Sequence, residues 1–184
     1  MTDRLRRAGH GRLPDGSAVT WSIAEGRRGR RWREVRVDSG GPISSLLLET
    51  DADGRFSHLE LSTAAGLLTL HPEADGTMHG NAVGATGVRH VVGLPWLPDG
   101  IVLLEGSAIT TAAAASLVRG SMGEGTSSTT EALRVDLDLS VERRPVRVDR
   151  LPYGTWKFEG QDAIGVGVDG VPSLRAAEEW PLEE

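Results

Sequence analysis

The chain has 184 residues, no cysteine and a formal charge of −6. A single domain with a sizeable buried core is expected at this length. The composition excludes disulfides, zinc–thiolate sites and cysteine nucleophiles, and the acidic balance argues against bulk attraction to nucleic acid. No run of about 18–20 apolar residues is present, and no apolar run follows the basic N-terminus, so neither a spanning helix nor a secretory signal is expected. The lack of cysteine suits a reducing, cytoplasmic setting. The charge is uneven: residues 1–36 carry +6 and the remainder −12.

In chain order, residues 1–17 read as a flexible or peripheral N-terminal segment. Ala18 to Ala24 then alternates, with Val19, Trp21 and Ile23 on one face. Arg27, Arg28, Arg30, Arg31 and Arg33 surround one turn. They read either as a solvated hairpin tip or as a patch for phosphate or a membrane surface. Arg31 to Val37 alternates with Val35 and Val37 on one face and Trp32 out of register. Ile43 to Thr50 reads as a more buried strand. Arg55 to Ser62 sets Phe56, His58, Glu60 and Ser62 against Ser57, Leu59 and Leu61. Leu67 to His71, Thr77 to Val83, Val88 to Val92 and Ile101 to Glu105 continue the series. Asp53-Gly54, Asp75-Gly76, Asp99-Gly100 and Asp169-Gly170 mark turns, because Asp and Gly accept the positive φ of tight hairpins.

Ala108 to Arg119 breaks this pattern. It is alanine-rich, Ser107 offers an N-cap, and Gly120 follows, which predicts one helix of about three turns. Gly120 to Thr130 is polar and glycine-rich and reads as a disordered loop or a lid. Leu133 to Val141 is the cleanest alternation in the chain. Val146 to Val148, Thr155 to Glu159 and Ile164 to Val168 complete the set. About a dozen antiparallel strands with one helix define a mainly β fold, a barrel or half-barrel. Such a sheet leaves a cavity where curling does not fill it.

The chemistry-bearing candidates cluster between His71 and Trp96. His79, Asn81, Arg89 and His90 interrupt apolar strands. A hairpin turn at Gly84 to Gly87 would bring His79 and His90 to one inner face, where two imidazoles serve as acid and base or cap strand ends. No third or fourth ligand stands at a metal-site spacing, and no cofactor motif is present. The tryptophans Trp21, Trp32 and Trp96, with Leu94, are candidates for lining an apolar pocket, and Arg89 for meeting a polar head. Trp180 would dock into the core or into a partner subunit, which leaves a homodimer open.

The run HLELSTAAGLLTLHPEADGTMHGNAV, followed by GVRHVVGLPW and the closing EWPLE, resembles the bacterial glycolipid-binding protein family. The resemblance covers roughly residues 18–184. It implies a β-rich, incompletely closed barrel that takes a lipid-like small molecule, and it carries no catalytic residues. Two functions follow as expectations. The first is binding of an apolar or amphiphilic small molecule (lipid, glycolipid or polyketide-like) in the barrel, using Trp21, Trp32, Asn81, Arg89, Leu94 and Trp96. The second is a stand-alone β-barrel cyclase or isomerase of a bacterial natural-product pathway. It would act by positioning its substrate, with His79 and His90 as the polar groups. Neither involves nucleic acid or integral membrane association.

Overall fold

The computed structural model describes residues 5–181. Fifteen strands and one α-helix are found among them. Strands β1 (Arg6–Arg12), β2 (Ala18–Gly26), β3 (Gly29–Asp38), β4 (Gly41–Thr50), β5 (Phe56–Thr63), β6 (Gly66–Pro72), β7 (Thr77–Gly84) and β8 (Gly87–Pro95) run as an antiparallel meander. β15 (Arg175–Pro181) pairs with β1 and extends this sheet to nine strands. The second sheet has the order β14-β13-β12-β11-β10-β9. Its strands are β9 (Ile101–Leu104), β10 (Thr126–Val135), β11 (Val141–Arg150), β12 (Thr155–Phe158), β13 (Ile164–Val166) and β14 (Pro172–Ser173). It curls as a half-barrel, and the whole is mainly β, as the alternation predicts.

The pairings are antiparallel except for β9 with β10. That parallel pair follows from the connection between them: helix α1 (Ala108–Val118) supplies the crossover that parallel neighbours require. Ser107 caps the helix, its side chain accepting from the Thr110 amide at 3.2 Å. Every residue from Ala108 to Ala115 is buried. A helix without a polar face belongs inside a structure, and its small side chains allow close backbone approach. It packs on β9, β12, β13 and β14 and also reaches β3.

The space between the sheets is packed rather than hollow. Val19, Trp21 and Ile23 of β2, Leu46 and Leu48 of β4, Leu59 and Leu61 of β5, and Leu68 and Leu70 of β6 point inward. They meet Leu103, Ile109, Leu133, Trp156 and Phe158 in one cluster. Burying such side chains contributes about 1.5–3 kcal/mol each, so the pattern is driven toward a filled interior.

Four sequence expectations are corrected. Residues 6–12 are an interior strand between β2 and β15, not a loose segment. The alternation from Leu133 to Val141 is not one strand: β10 stops at Val135, and the chain turns through Leu139, whose φ is +68°, before β11. The polar stretch after Gly120 is neither disordered nor a lid over its second half, because Thr126–Thr130 begin β10 and pair with β11. On β3 the inward residues are Trp32, Glu34 and Arg36, while Val35 and Val37 face solvent. The backbone of Trp180 pairs with Ala8, but its side chain lies outside the described residues.

Candidate functional site

Two clefts meet where the tips of the large sheet approach the C-terminal end of α1. The first holds about 310 Å³. Its walls come from the β2–β3 hairpin (Glu25, Arg30, Trp32), the β4–β5 turn (Thr50, Asp51, Gly54), the helix (Ala113, Ser116, Arg119) and Val168. The hairpin tip must be tight. Gly26 pairs with Gly29, leaving only Arg27 and Arg28 in the turn. Gly29 has φ +127°, and a Cβ there would lie 1.9 Å from the Thr50 carbonyl oxygen. Only glycine lets this tip lie against β4. A wider cleft of about 670 Å³ continues from the first around the tip, sharing Glu25, Arg30, Thr50 and Asp51 and adding Arg6, Arg27, Arg28 and Arg31.

Arginines organise this end. Arg30 donates to Glu25 at 2.9 Å and to the Asp169 carbonyl at 2.7 Å, and its guanidinium stands 5.8 Å from the Trp32 ring centroid. Arg119 donates to the carbonyls of Val166 (3.1 Å) and Gly167 (2.6 Å). Arg150 donates to the carbonyls of Arg119 and Met122 and lies over Trp156 at 5.3 Å. Burial and the neighbouring charge of Arg150 push the Arg119 pKa down, against the pull of Asp169. The guanidinium–indole contacts hold Arg30 and Arg150 in place while their edges donate to these oxygens.

The first cleft also opens onto an apolar crevice. Leu48, Phe56, Ile101, Ala114 and Leu117 line it, and it shares Thr50, Gly54 and Ala113 with the polar mouth. Its cavity volume is only about 20 Å³. An occupant would have to displace the side chains that line it.

At the other end of the helix sits a buried polar group. Glu34, 1% exposed, accepts from the Ile109 amide at 3.0 Å. Arg36 donates to the Glu105 carbonyl and to Asp15, both at 2.9 Å. Burial raises the Glu34 pKa, opposed by the Ile109 amide, the Ser107 hydroxyl and the Arg36 charge. Among the described residues, its Oε1 and the Arg36 Nε have no hydrogen-bond partner. This arrangement ties the helix N-terminus to β3.

The sequence candidates are distributed differently from expectation. Trp21 is buried in the core with its indole nitrogen unpartnered. Trp32 is buried in the floor of the first cleft, its indole nitrogen donating to the Thr50 hydroxyl at 3.4 Å. Trp96 is buried and meets Phe56 edge-on, with centroids 5.7 Å apart. Leu94 is half-buried and pairs across the strand with Met78. His79, Asn81 and His90 do share a face, but it is the outer one. Met78, Gly80 and Ala82 take the inner positions of β7, and His90 is exposed, paired to Asn81 at 2.7 Å. Alternation turns position 80 inward, and glycine stands there because a Cβ would lie 1.9 Å from the Thr69 carbonyl oxygen. Arg89 is exposed and donates to the Leu139 carbonyl at 2.6 Å. The structure therefore brings Trp32 to the cleft and leaves His79, Asn81, Arg89 and His90 away from both cleft and crevice. Among the described residues no group of three or more metal-ligating side chains is suited to an ion.

Arg30 belongs to the arginine group around the turn, but Thr50, Asp51, Ala113 and Arg119 carry no signal in the sequence that joins them to it. The available signal was parity: Arg30 shares a face with Trp32, Glu34 and Arg36, so its side chain runs inward from the turn.

No protein-family model matches this chain, and no curated protein does. Its fold is similar to the crystal structure of a DUF1089 family protein from Pseudomonas aeruginosa, with a TM-score of 0.57 at 15% identity over 84% of this chain and 86% of that one. At that identity the likeness speaks for the β-rich, barrel-like fold alone. Among the described residues no helix is long and apolar enough to cross a membrane.

Proposed function

We propose that the chain binds an amphiphilic small molecule of lipid or glycolipid type. The polar head would sit in the arginine-lined mouth, and the apolar tail would enter the crevice between α1 and the large sheet. One observation carries this reading: Thr50, Gly54 and Ala113 belong to both the polar cleft and the apolar crevice. Adjoining polar and apolar walls match a molecule built the same way. Arg30 and Arg119 offer donors to phosphate, carboxylate or hydroxyl oxygens, and Asp51 and Glu25 offer acceptors to sugar hydroxyls. The packed core shifts the binding place from a barrel interior to this rim.

The test uses dodecyl maltoside below its micellar concentration, followed by titration calorimetry. Ala113 lines the junction, so Ala113→Leu fills it. The expected result is at least a tenfold loss of affinity in a folded variant whose melting temperature falls by about 2–12 °C, since adding methylenes in a packed site costs about 1–3 kcal/mol. Unchanged affinity in a folded variant would refute the reading.

A further inference from the structure

The same end of the molecule presents exposed side chains around and beyond the cleft mouth. Tyr153 is 98% exposed and Val168 is 96% exposed, well above the other exposed large hydrophobic side chains of the described residues. Tyr153 has a positive φ of 60°, and its amide donates to Glu124 at 2.6 Å, so the turn is held with the ring outward. Val168 stands on the rim of the polar cleft. The 151–155 turn joins the 166–170 turn through the Val166 amide and the Gly154 carbonyl, 2.9 Å apart, so the two side chains belong to neighbouring loops. Arg27 and Arg28 are exposed at the hairpin tip and make no ion pair among the described residues, whereas Arg30 and Arg31 pair with Glu25 and Glu49.

We propose that this end is a docking face for an anionic lipid bilayer, and that it turns the cleft mouth toward the membrane. Arg27 and Arg28 meet the headgroup charge, Tyr153 lies at the headgroup level and Val168 reaches the acyl boundary. Unpaired arginines beside a protruding aromatic and a protruding aliphatic residue are the physical ingredients of interfacial binding. The chain as a whole is acidic, so the face is oriented: the remaining surface is repelled by the same bilayer. The inference rests on the amphiphile reading for what the docking serves, namely loading the cleft from the bilayer. The docking itself rests on the exposed residues.

The test is co-sedimentation of the full chain with vesicles of phosphatidylcholine alone and of phosphatidylcholine with about one-third phosphatidylglycerol, at low and high salt. The expected result is pelleting with the anionic vesicles only, reversed by salt as charges are screened within about 10 Å. Joint Arg27→Gln and Arg28→Gln should weaken it about thirty-fold, given the contribution of each arginine at a charged surface. Val168→Asp should weaken it with both arginines intact. Equal pelleting with neutral vesicles, no loss in the arginine double variant, or retention on single-stranded DNA without vesicle binding would overturn the proposal. Dodecyl maltoside affinity, measured without vesicles, separates the two ideas. If Tyr153→Ser, at a side chain that lines neither cleft, keeps that affinity and loses vesicles, both stand. If the wild type pellets with vesicles but does not bind the detergent, docking stands and the amphiphile reading falls.

Discussion

Glu34 offers the sharpest test of how the helix is held. Its carboxylate accepts from the Ile109 amide at the first turn of α1, and its charge interacts with Arg36. Glu34→Ala removes the acceptor. A buried amide is then left unsatisfied, which costs about 1–3 kcal/mol, and the buried Arg36 loses an opposing charge, so the sum is about 3 kcal/mol. For a chain of this size that lowers the melting temperature by about 6–12 °C. Glu34→Gln keeps the shape and an oxygen acceptor, and should cost about 1 kcal/mol near neutral pH. The pH dependence has a definite sign. Burial raises the folded pKa above the ordinary 4.5. The stability contributed by this proton is therefore complete below about pH 4.5 and is lost as pH rises through the folded value. The margin of the wild type over Glu34→Gln should be larger at pH 4.5 than at pH 8, measured by calorimetric melting of both proteins. A margin that grows with pH would show that the helix N-terminus, not burial, dominates. An alanine variant as stable as the wild type would refute the tie altogether.

Two further outcomes follow from the geometry. Gly29→Ala places a Cβ against the Thr50 carbonyl at a φ that side chains avoid, and should lower the melting temperature by about 4–10 °C; a change under one degree would contradict the close contact of the tip with β4. His79→Ala and His90→Ala alter the outer face of β7 and β8, so each should leave dodecyl maltoside affinity unchanged and shift melting by no more than about 2 °C. A marked loss of affinity in either would return the histidines to the site.

The fold was legible wherever inward residues were apolar. On β2 the alternation of Val19, Trp21 and Ile23 is the inner face because nothing polar competes for it. The capped helix is legible for a similar reason: Ser107 and the alanines after it agree with each other. β3 defeats the same rule. Its inward residues include Glu34 and Arg36, whose partners are the helix N-terminus, a carbonyl and Asp15, all of which are distant in sequence. Alternation also crosses the turn at Leu139 without interruption, since the turn residues Asp136, Asp138 and Ser140 happen to keep the polar phase. The candidate site was less legible still. Arg30 lies on β3, Thr50 on β4, Ala113 in α1 and Arg119 just past its last residue, and only the sheet tips and the helix bring them together. The histidines drew notice because polar residues interrupt apolar strands, but the inner positions beside them belong to Met78, Gly80 and Ala82.

Backbone amide shifts followed by NMR during titration with monomeric dodecyl maltoside test the central claim most directly. The expected shifts fall on Thr50, Gly54, Ala113 and Leu117, where polar mouth and apolar crevice join. Shifts confined to His79, Asn81 and His90 on the outer face, or no shifts at all, would contradict it.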